Sequence, residues 1–237
     1  MERETENLSA VVIGGSGAVG RDLIDYLLKS TNWKKISVIA RRKIDRWENI
    51  PDLLCSKFEF KQIEELDFLG SDKETLETKY DLNYEGYHSV FCCLGSRTGN
   101  GEEVFRKVDY TYCYYAATLC EKFSIPHFSL VSSVGANISS SFLYMRVKGE
   151  IENKVMSMNI KKVSIFRPGA ILDRDNDSRC GECFLKYFCC CCFANIHCRE
   201  LALAISNEAI GIHSNVIENL NQSTIYENAQ IRKFVLK

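Results

Sequence analysis

Short apolar runs recur along the chain, and several of them lead into a helical pattern. Residues 10–13 are apolar and end in a cluster of glycines, after which leucine and isoleucine recur at helical spacing between 23 and 28. This order predicts a buried strand, a tight turn and an amphipathic helix. The same pattern predicts further strands at 36–40, 58–66, 88–95, 128–131, 162–166 and 224–226, and helices at 104–123 and 199–213.

Strands that alternate with helices predict an α/β fold with a Rossmann-like, doubly wound parallel sheet. The chain has 237 residues, which suits one domain. We expect residues 1–237 to form a single domain, with 170–237 as a divergent, cysteine-rich C-terminal cap whose helix at 199–213 closes the substrate side. Residues 44–57 are expected to be an irregular connection, and 69–86 a solvated helix and loop.

The glycines after the first strand, Gly14, Gly17 and Gly20, have the spacing of a dinucleotide-binding turn. Gly14 and Gly17 allow a sharp turn and a close approach to a ligand, and Gly20 allows the helix to pack tightly on the strand. The N–H groups at the helix start then suit a pyrophosphate. Gly15-x-Gly17-x-x-Gly20 is a second interpretation of the cluster, and a glycine-rich turn without a ligand is the alternative to both.

The end of the second predicted strand indicates which nicotinamide cofactor is preferred. Arg41 and Arg42 follow it directly, with no acidic residue there to take the ribose 2′-hydroxyl of NAD. A guanidinium group matches a 2′-phosphate through a bidentate hydrogen-bonded fork. The position therefore favours NADP(H), and a solvated basic loop is the alternative.

A candidate catalytic group lies further along the chain. Ser132 and Ser133 end a predicted strand, and Tyr144 and Lys148 follow one helical turn apart, on one face. Carbonyl reduction needs a positioned proton donor, and a nearby ammonium stabilises the phenolate of a tyrosine. A serine hydroxyl can hold the substrate oxygen against the tyrosine. A helix with a boundary tyrosine and a solvated lysine is the alternative.

Composition limits the classes of partner and location. The chain carries 30 basic and 31 acidic residues, which argues against nucleic acid or an anionic membrane as the main partner. We expect no signal peptide in residues 1–7 and no transmembrane segment. The 12 cysteines, most of them expected to be thiols, point to reducing cytosol, so a cytoplasmic location is predicted, with a nuclear or membrane-associated pool as the variant.

Several phrases resemble the atypical short-chain dehydrogenase/reductases, and more narrowly the Tat-interactive-protein oxidoreductase family. They are the glycine turn, Ala-Arg-Arg-Lys at 40–43, Phe-Cys-Cys-Leu-Gly at 91–95, Val-Ser-Ser at 131–133, Phe-Leu-Tyr at 142–144, Val-Lys-Gly-Glu at 147–150 and Phe-Arg-Pro-Gly at 166–169. The resemblance covers about residues 8–182. It implies a Rossmann-like sheet that binds NADPH, and regulatory partners such as importins.

The resemblance also implies individual roles. Tyr144 and Lys148 would be catalytic and touch the nicotinamide ribose, with Ser132 slightly favoured over Ser133 as their partner. The implied cofactor contacts are Ser16, Gly17, Ala18 and Val19 in the turn, Arg41 and Arg42 at the 2′-phosphate, Asp67 at the adenine, Leu94 and Gly95 beside the adenosine, Ile171 beside the nicotinamide and Arg179 near the pyrophosphate. An exposed turn is the alternative for Asp67. Asp109 stands where many extended relatives have an asparagine, which is a departure.

Cysteines recur in two places. Cys92 and Cys93 are neighbours on a predicted strand, so they face opposite sides and are expected in the core. Seven more lie between Cys180 and Cys198, four of them consecutive at 189–192. A zinc site with His197, S-palmitoylation as a membrane tether, and small apolar residues lining a pocket or interface are the alternatives, and the last is favoured.

Two functions follow from these patterns. The first is an NADP(H)-dependent oxidoreductase that acts on a carbonyl or alcohol substrate. The alternative is an NADPH-binding regulator with little or no catalysis, which engages protein partners such as nuclear import or transcription factors. The intact Tyr144, Lys148 and serines favour the enzyme, and Asp109 leaves room for the regulator.

Overall fold

The glycine turn joins the first strand and first helix of an α/β unit. The computed structural model describes residues 7–173, 195–214 and 222–236. Its strands are β1 (Leu8–Ile13), β2 (Trp33–Ala40), β3 (Phe58–Gln62), β4 (Ser89–Cys92), β5 (His127–Val131), β6 (Lys162–Arg167), β7 (Ile171–Leu172), β8 (Ile196–His197) and β9 (Ser223–Glu227). Its helices are α1 (Ala18–Lys29), α2 (Asp52–Cys55), α3 (Lys73–Tyr80), α4 (Glu102–Arg106), α5 (Cys113–Lys122), α6 (Leu143–Met156), α7 (Cys198–His213) and α8 (Asn228–Val235).

In this described part, seven parallel strands form one sheet in the order β3-β2-β1-β4-β5-β6-β9. The order reverses between β1 and β4, which defines the switch point of a doubly wound sheet. This confirms the predicted Rossmann-like α/β fold. The strands β7 and β8 pair separately, also in parallel.

Alternate residues of each strand enter two apolar cores, one on each face of the sheet. Val11 and Ile13 of β1 pack with residues of α5 and α6, whereas Ala10 and Val12 pack with residues of α1, α7 and α8. Cys92 joins the first core and Cys93 packs against the second, which confirms that the two thiols face opposite sides. Burial raises the pKa of the Cys93 thiol, because the thiolate is desolvated there.

Two elements differ from their sequence predictions. The strand β3 ends at Gln62, and a 3₁₀ segment, Leu66–Gly70, follows it. The helix predicted at 104–123 begins at Glu102 and contains a π-helical segment, Lys107–Tyr112. Leu66, Phe68 and Leu69 are buried, so their apolar pattern reflects packing of the 3₁₀ segment, not strand pairing.

The C-terminal region also differs from the predicted cap. The strand β9 is part of the central sheet, and α7 packs against α1 on one face of the sheet and does not close the substrate side. The apolar residues of α7, such as Leu201, Ile205 and Ala209, lie in the same core as those of α1. An amphipathic pattern predicts a helix but not the surface on which it packs, which explains the difference.

A buried polar network joins α7 to three strands. The Ser89 hydroxyl lies 2.9 Å from His127 Nδ1 and 2.9 Å from His213 Nε2, and the other nitrogen of His127 lies 3.1 Å from the Ser164 hydroxyl. Ser164 donates to the carboxyl of Glu208 at 2.5 Å. Burial raises the pKa of Glu208 to about 7, opposed by hydrogen bonds and by the charge of nearby Lys162.

This network leads to a prediction about stability. In the unfolded chain Glu208 ionises near its ordinary pKa of 4.5, so its contribution to stability is complete below that pH and is lost as pH rises through about 7. We expect the free energy of unfolding of the wild type, relative to Glu208→Gln, to fall by about 3 kcal/mol over that range. Urea unfolding at a series of pH values measures it.

The comparison with Glu208→Gln isolates this group. Burial lowers the pKa of His127 and of His213, the latter to about 4, so these groups add stability as pH rises and oppose Glu208. Both proteins contain the two histidines, so the difference retains only their coupling to Glu208, whose carboxyl lies 3.8 Å from His127 Nε2. If the unfolding free energies of the wild type and Glu208→Gln changed by the same amount with pH, the raised pKa of Glu208 would be contradicted.

Candidate active site

The glycine turn lies against the carboxyl end of β4. Gly14 has φ of 84°, and a Cβ atom there would lie 2.7 Å from the carbonyl carbon of Cys93. A Cβ atom at Gly20 would lie 2.3 Å from the Gly14 oxygen. The turn therefore requires glycine at both positions, and it brings the start of α1 to the switch point of the sheet, where doubly wound folds bind ligands.

The start of α1 has the features of an anion site. Gly17 is its N-cap, no side chain caps the helix, and its first turn has no acidic residue. Ser16, Gly17 and Ala18 are at least partly exposed. The Val19 side chain is buried in the core, so any contact of this residue with a ligand would be made by its backbone. This cradle of N–H groups fits the pyrophosphate of a dinucleotide.

A basic groove of about 310 Å³ lies between the start of α1 and the end of β2. Arg21, Arg42 and Lys43 line it together with Ile44, Asp45 and Arg46. Arg42 lines the groove, whereas Arg41 is exposed and does not line it, and the predicted contact of either with a 2′-phosphate stays a prediction. The charge of Arg46 is offset by Asp22, 3.3 Å away. The groove suits a phosphate group because four of its six lining residues are basic and one is acidic.

Tyr144 and Lys148 lie one turn apart near the start of α6. Tyr144 is half-buried, and its ring lies 5.7 Å from that of Phe105 in α4. Lys148 is 3% exposed, and its ammonium lies 3.5 Å from the Val131 carbonyl oxygen at the end of β5. The pair therefore lies at the carboxyl edge of the sheet, the same edge as the glycine turn.

Lys148 forms a buried ion pair with Asp109 of the π-helical segment. Its Nζ lies 2.9 Å from Asp109 Oδ1. Burial alone would lower the pKa of Lys148, but the charge and hydrogen bond of Asp109, together with the charges of Tyr144 and Cys113, outweigh this effect and hold the pKa above its ordinary value. Lys148 is therefore an ammonium ion throughout the physiological range of pH.

The other oxygen of Asp109 is held by Ser96, in the loop after β4. Ser96 donates from its backbone N–H and from its hydroxyl to Oδ2, at 2.8 and 2.7 Å. Leu94 and Gly95, predicted to lie beside the adenosine, immediately precede it. Asp109 thus links the loop after β4 to Lys148 of α6.

The two candidate serines have different environments. The Ser132 hydroxyl donates to the buried carboxylate of Glu152, which also pairs with Arg167. The Ser133 hydroxyl donates to the Val134 carbonyl oxygen across a long distance of 3.3 Å. The slight preference for Ser132 stays a prediction, and the engagement of its hydroxyl with Glu152 is an argument for Ser133 as the serine that would hold a substrate oxygen.

The remaining predicted residues are placed as follows. Asp67 lies after β3, where its carboxylate pairs with Lys107 at 2.9 Å and accepts a hydrogen bond from Tyr112 at 2.8 Å. Its predicted contact with adenine would compete with both partners. Ile171 begins β7 and packs against the core that contains α1. Arg179 lies outside the described residues, and its role stays a prediction.

The cysteine-rich segment is also outside the described residues up to Cys192. Cys198, which is described, is buried, and its thiol donates to the Leu172 carbonyl oxygen at 3.1 Å. His197, a candidate zinc ligand from the sequence, contacts Asp173 through Nδ1. The alternatives for the segment at 180–192 therefore stay predictions.

Sequence reasoning missed three residues of the site. Arg21 lines the basic groove although it lies in α1, and Ser96 and Phe105 support Asp109 and Tyr144. The position of Arg21 directly after Gly20 was a usable signal, because the first turns of this helix face the ligand edge. The sequence carries no such signal for Ser96 or Phe105, since their contacts depend on how α4 and the loop after β4 pack.

Comparison with known proteins identifies the family. Protein HTATIP2 of Rattus norvegicus is 35% identical over 184 residues, which are 77% of this chain and 71% of that protein. Protein FMP52-1, mitochondrial, of Scheffersomyces stipitis is 32% identical over 172 residues, 73% of this chain and 71% of that protein. The chain belongs to the HTATIP2 and FMP52 family. This confirms the resemblance drawn from the sequence, although no protein-family model matches the chain.

Solved structures share the family's fold. A short-chain dehydrogenase/reductase of Saccharomyces cerevisiae, YIR035C, matches with a TM-score of 0.68 and 13% identity, over 96% of this chain and 99% of that one. MoeE5, solved with UDP-glucose and NAD, matches with a TM-score of 0.64 and 12% identity, over 92% and 75%. The fold is therefore that of the short-chain dehydrogenase/reductases and related epimerases.

The relatives contradict the predicted cytoplasmic location. The FMP52 proteins of Scheffersomyces stipitis, Debaryomyces hansenii and Candida albicans are each named as mitochondrial. The cysteine-based inference was wrong because free thiols indicate a reducing environment and do not distinguish one reducing compartment from another. Among the described residues, none of the helices has the length and apolar character needed to cross a membrane.

Proposed function

We propose that this protein is an NADP(H)-dependent oxidoreductase that interconverts a carbonyl compound and the corresponding alcohol. The observation that carries the proposal is the placement of Tyr144 and Lys148 at the same sheet edge as the glycine turn. The N–H groups of the glycine turn suit the cofactor's phosphates, and Tyr144 with Lys148 suits proton transfer to a substrate oxygen. The shared fold with short-chain dehydrogenase/reductases supports the same conclusion.

The chain's own residues would divide the work of reduction. Bound NADPH supplies a hydride to the carbonyl carbon, so that the carbonyl, NADPH and one proton yield the alcohol and NADP⁺. The Tyr144 hydroxyl donates its proton to the substrate oxygen as negative charge develops there. The Ser133 hydroxyl donates a hydrogen bond to the same oxygen and orients it. Lys148, which is paired with Asp109, lies one helical turn after Tyr144 in α6. Its ammonium would place a positive charge close to the tyrosine.

The basic groove supports NADP(H) over NAD(H). Arg21, Arg42 and Lys43 surround the place at the end of β2 where the 2′ position of the adenosine ribose lies in doubly wound dinucleotide sites. A 2′-phosphate would form charge-assisted hydrogen bonds with these groups, which are stronger than the bonds that a neutral 2′-hydroxyl can make.

Calorimetric titration of NADPH and NADH tests this assignment. We expect Arg42→Ala and Arg21→Ala each to weaken NADPH binding by about 10- to 100-fold, because each removes a charge-assisted hydrogen bond. NADH binding should stay within about threefold of the wild type in both variants, since it lacks the phosphate. Arg41→Ala measures whether the neighbouring guanidinium contributes from outside the groove.

Lys34→Ala is the matched control for the loss of one positive charge. Lys34 is exposed and lies near the opposite end of β2. Equal losses of NADPH affinity in Lys34→Ala and Arg42→Ala would assign the effect to net charge and overturn the 2′-phosphate site. Equal affinity of the wild type for NADH and NADPH would overturn the preference for NADP(H).

We also propose a mitochondrial location, which rests on the names of the FMP52 relatives. Cell fractionation of the full chain with matrix and cytosolic markers tests it.

The second function from the sequence, an NADPH-binding regulator that engages import or transcription factors, predicts tight NADPH binding without turnover. The buried Lys148 and its partner Asp109 favour the enzyme, because a regulator has no need of a charged pair beside Tyr144.

A further inference from the structure

The buried carboxylate of Asp109 has hydrogen-bond donors at both of its oxygens. The Lys148 ammonium lies 2.9 Å from Oδ1, and the backbone N–H and hydroxyl of Ser96 donate to Oδ2 at 2.8 and 2.7 Å. Asp109 is 0% exposed and Lys148 is 3% exposed. Charges are buried at low cost only when they are paired and their remaining hydrogen bonds are made. This carboxylate meets that condition through two different elements, α6 and the loop after β4.

The arrangement of these donors requires a carboxylate and excludes an amide. An ionised carboxylate accepts hydrogen bonds at both oxygens, whereas an asparagine presents an NH₂ group at one of the two positions. In one orientation that NH₂ group would face the Lys148 ammonium, and in the other it would face the backbone N–H of Ser96. Neither of these groups can accept a hydrogen bond. The site is therefore specific for aspartate at position 109.

The loop that contains Ser96 borders the glycine turn. A Cβ atom on Gly14 would lie 2.8 Å from the backbone nitrogen of Leu94, so the turn and this loop are in direct contact. A Cβ atom on Gly95 would lie 3.7 Å from Asp109 Oδ1, which places the carboxylate immediately behind the loop. The segment at 94–96 is therefore one wall of the cradle formed by the glycine turn, and Asp109 supports that wall.

The backbone around Asp109 is also unusual. Asp109 lies in the π-helical segment Lys107–Tyr112, between α4 and α5. Short π-helical segments within α-helices are rare and frequently occur at functional sites. This segment contacts α6, which carries Lys148. The irregular turn therefore lies at the point where the buried carboxylate joins the two elements.

We propose that Asp109 is a positioning residue that holds the loop after β4 in place as a wall of the dinucleotide cradle, with the Lys148 ammonium as its counter-charge. Asp109 acts on the cofactor through Ser96 and the backbone of the loop. The affinity for the dinucleotide thus depends on a buried group behind the site. This inference rests on the proposed function and adds to it a residue that sets cofactor affinity.

Calorimetric titration of NADPH and NADH into Asp109→Asn tests the proposal. We expect both nucleotides to bind about 10- to 100-fold more weakly than to the wild type, because the wall borders the part that the two cofactors share. Arg42→Ala, in contrast, is expected to weaken NADPH alone. The number of binding sites per chain should stay unchanged, since a smaller folded fraction would lower that number and not the affinity.

Glu150→Gln is the matched control for the loss of one carboxylate. Glu150 is a residue of α6 that pairs with Arg106 at 2.7 Å. We expect its affinity for both nucleotides to stay within about threefold of the wild type. Wild-type affinity in Asp109→Asn, or an equal loss in Glu150→Gln, would overturn the proposal.

Ser96→Ala is the milder variant, and it serves if Asp109→Asn does not fold. Ser96 is partly exposed, and the change removes only the hydroxyl bond to Asp109 while the backbone N–H remains. We expect both nucleotides to bind about fivefold more weakly. Unchanged affinity in Ser96→Ala would show that the position of the loop does not depend on this bond, against the proposal.

Urea unfolding tests the role of Lys148 as the counter-charge. Asp109→Asn leaves a buried ammonium without its carboxylate, so its unfolding midpoint should lie below that of the wild type. The double variant with Asp109→Asn and Lys148→Met removes both charges, and we expect it to regain about half of the lost midpoint or more. A double variant less stable than Asp109→Asn would refute this role.

Hydrogen exchange without cofactor separates this inference from the proposed function. The Ser96 amide should exchange about 10-fold faster in Asp109→Asn than in the wild type, because its acceptor is lost, and should not change in Glu150→Gln. A wild type that binds neither nucleotide would reject the proposed function, and the exchange result would then decide the positioning role alone. Unchanged exchange at Ser96 in Asp109→Asn would overturn it.

Discussion

Replacement of Tyr144 by phenylalanine is expected to lower carbonyl reduction by about 10³-fold. The change removes only the hydroxyl, which is the proton donor for the substrate oxygen, and leaves the ring that packs beside Phe105. NADPH affinity should stay within about threefold of the wild type, because the phosphate cradle and the basic groove are untouched. Initial rates of NADPH oxidation with a panel of aldehydes and ketones, together with calorimetry, measure both effects.

Tyr114→Phe provides the matched control for Tyr144→Phe. Tyr114 is a partly buried tyrosine of α5 whose ring lies 4.8 Å from Lys154 Nζ. It should retain the wild-type rate within about twofold. A Tyr144→Phe enzyme that keeps a tenth or more of the wild-type rate would contradict the role of Tyr144 as the proton donor.

The second large effect is expected from Gly20→Ala. A Cβ atom at this position would lie 2.3 Å from the Gly14 oxygen and 2.8 Å from the Gly15 Cα, both backbone atoms that cannot rotate away. Relief of this overlap requires α1 to move from β1, which should lower the free energy of unfolding by about 3 kcal/mol. Because the same movement opens the phosphate cradle, NADPH binding should fall below detection. Urea unfolding and calorimetry measure the two effects.

Gly17→Ala is the control from the same turn. Gly17 has φ of −75°, which any residue adopts, and the nearest atom to its added Cβ is the Gly14 oxygen at 3.3 Å. We expect it to lose less than about 1 kcal/mol of stability. Equal stability losses in the two variants would show that close packing of α1 on the turn is not the reason for glycine at position 20.

Much of the fold could be predicted from the sequence because its signals are local. The apolar run before Gly14 and the helical spacing after Gly20 together determine a strand, a turn and a helix, and the structure has these elements. The neighbouring thiols of Cys92 and Cys93 could be assigned to opposite faces from strand geometry alone.

The errors concern tertiary packing. The apolar face of α7 shows that the helix is amphipathic but not that it packs on α1, so its predicted position at the substrate side was wrong. The contacts of the candidate site residues likewise depend on tertiary packing and could not be predicted from the sequence. Asp109 could be flagged as unusual by its position, but its ion pair with Lys148 depends on how the π-helical segment approaches α6. The engagement of Ser132 with Glu152 likewise joins two elements 20 residues apart.

The most direct test of the central claim follows hydride transfer from cofactor to substrate. NADPH labelled with deuterium at C4, in each of the two stereochemical forms, is incubated with the protein and a panel of carbonyl compounds, and the alcohols are analysed by mass spectrometry. We predict one deuterium on the carbinol carbon from one labelled form with the wild type, and none with Tyr144→Phe. Tight NADPH binding without deuterium in any alcohol would contradict the enzyme and support an NADPH-binding regulator.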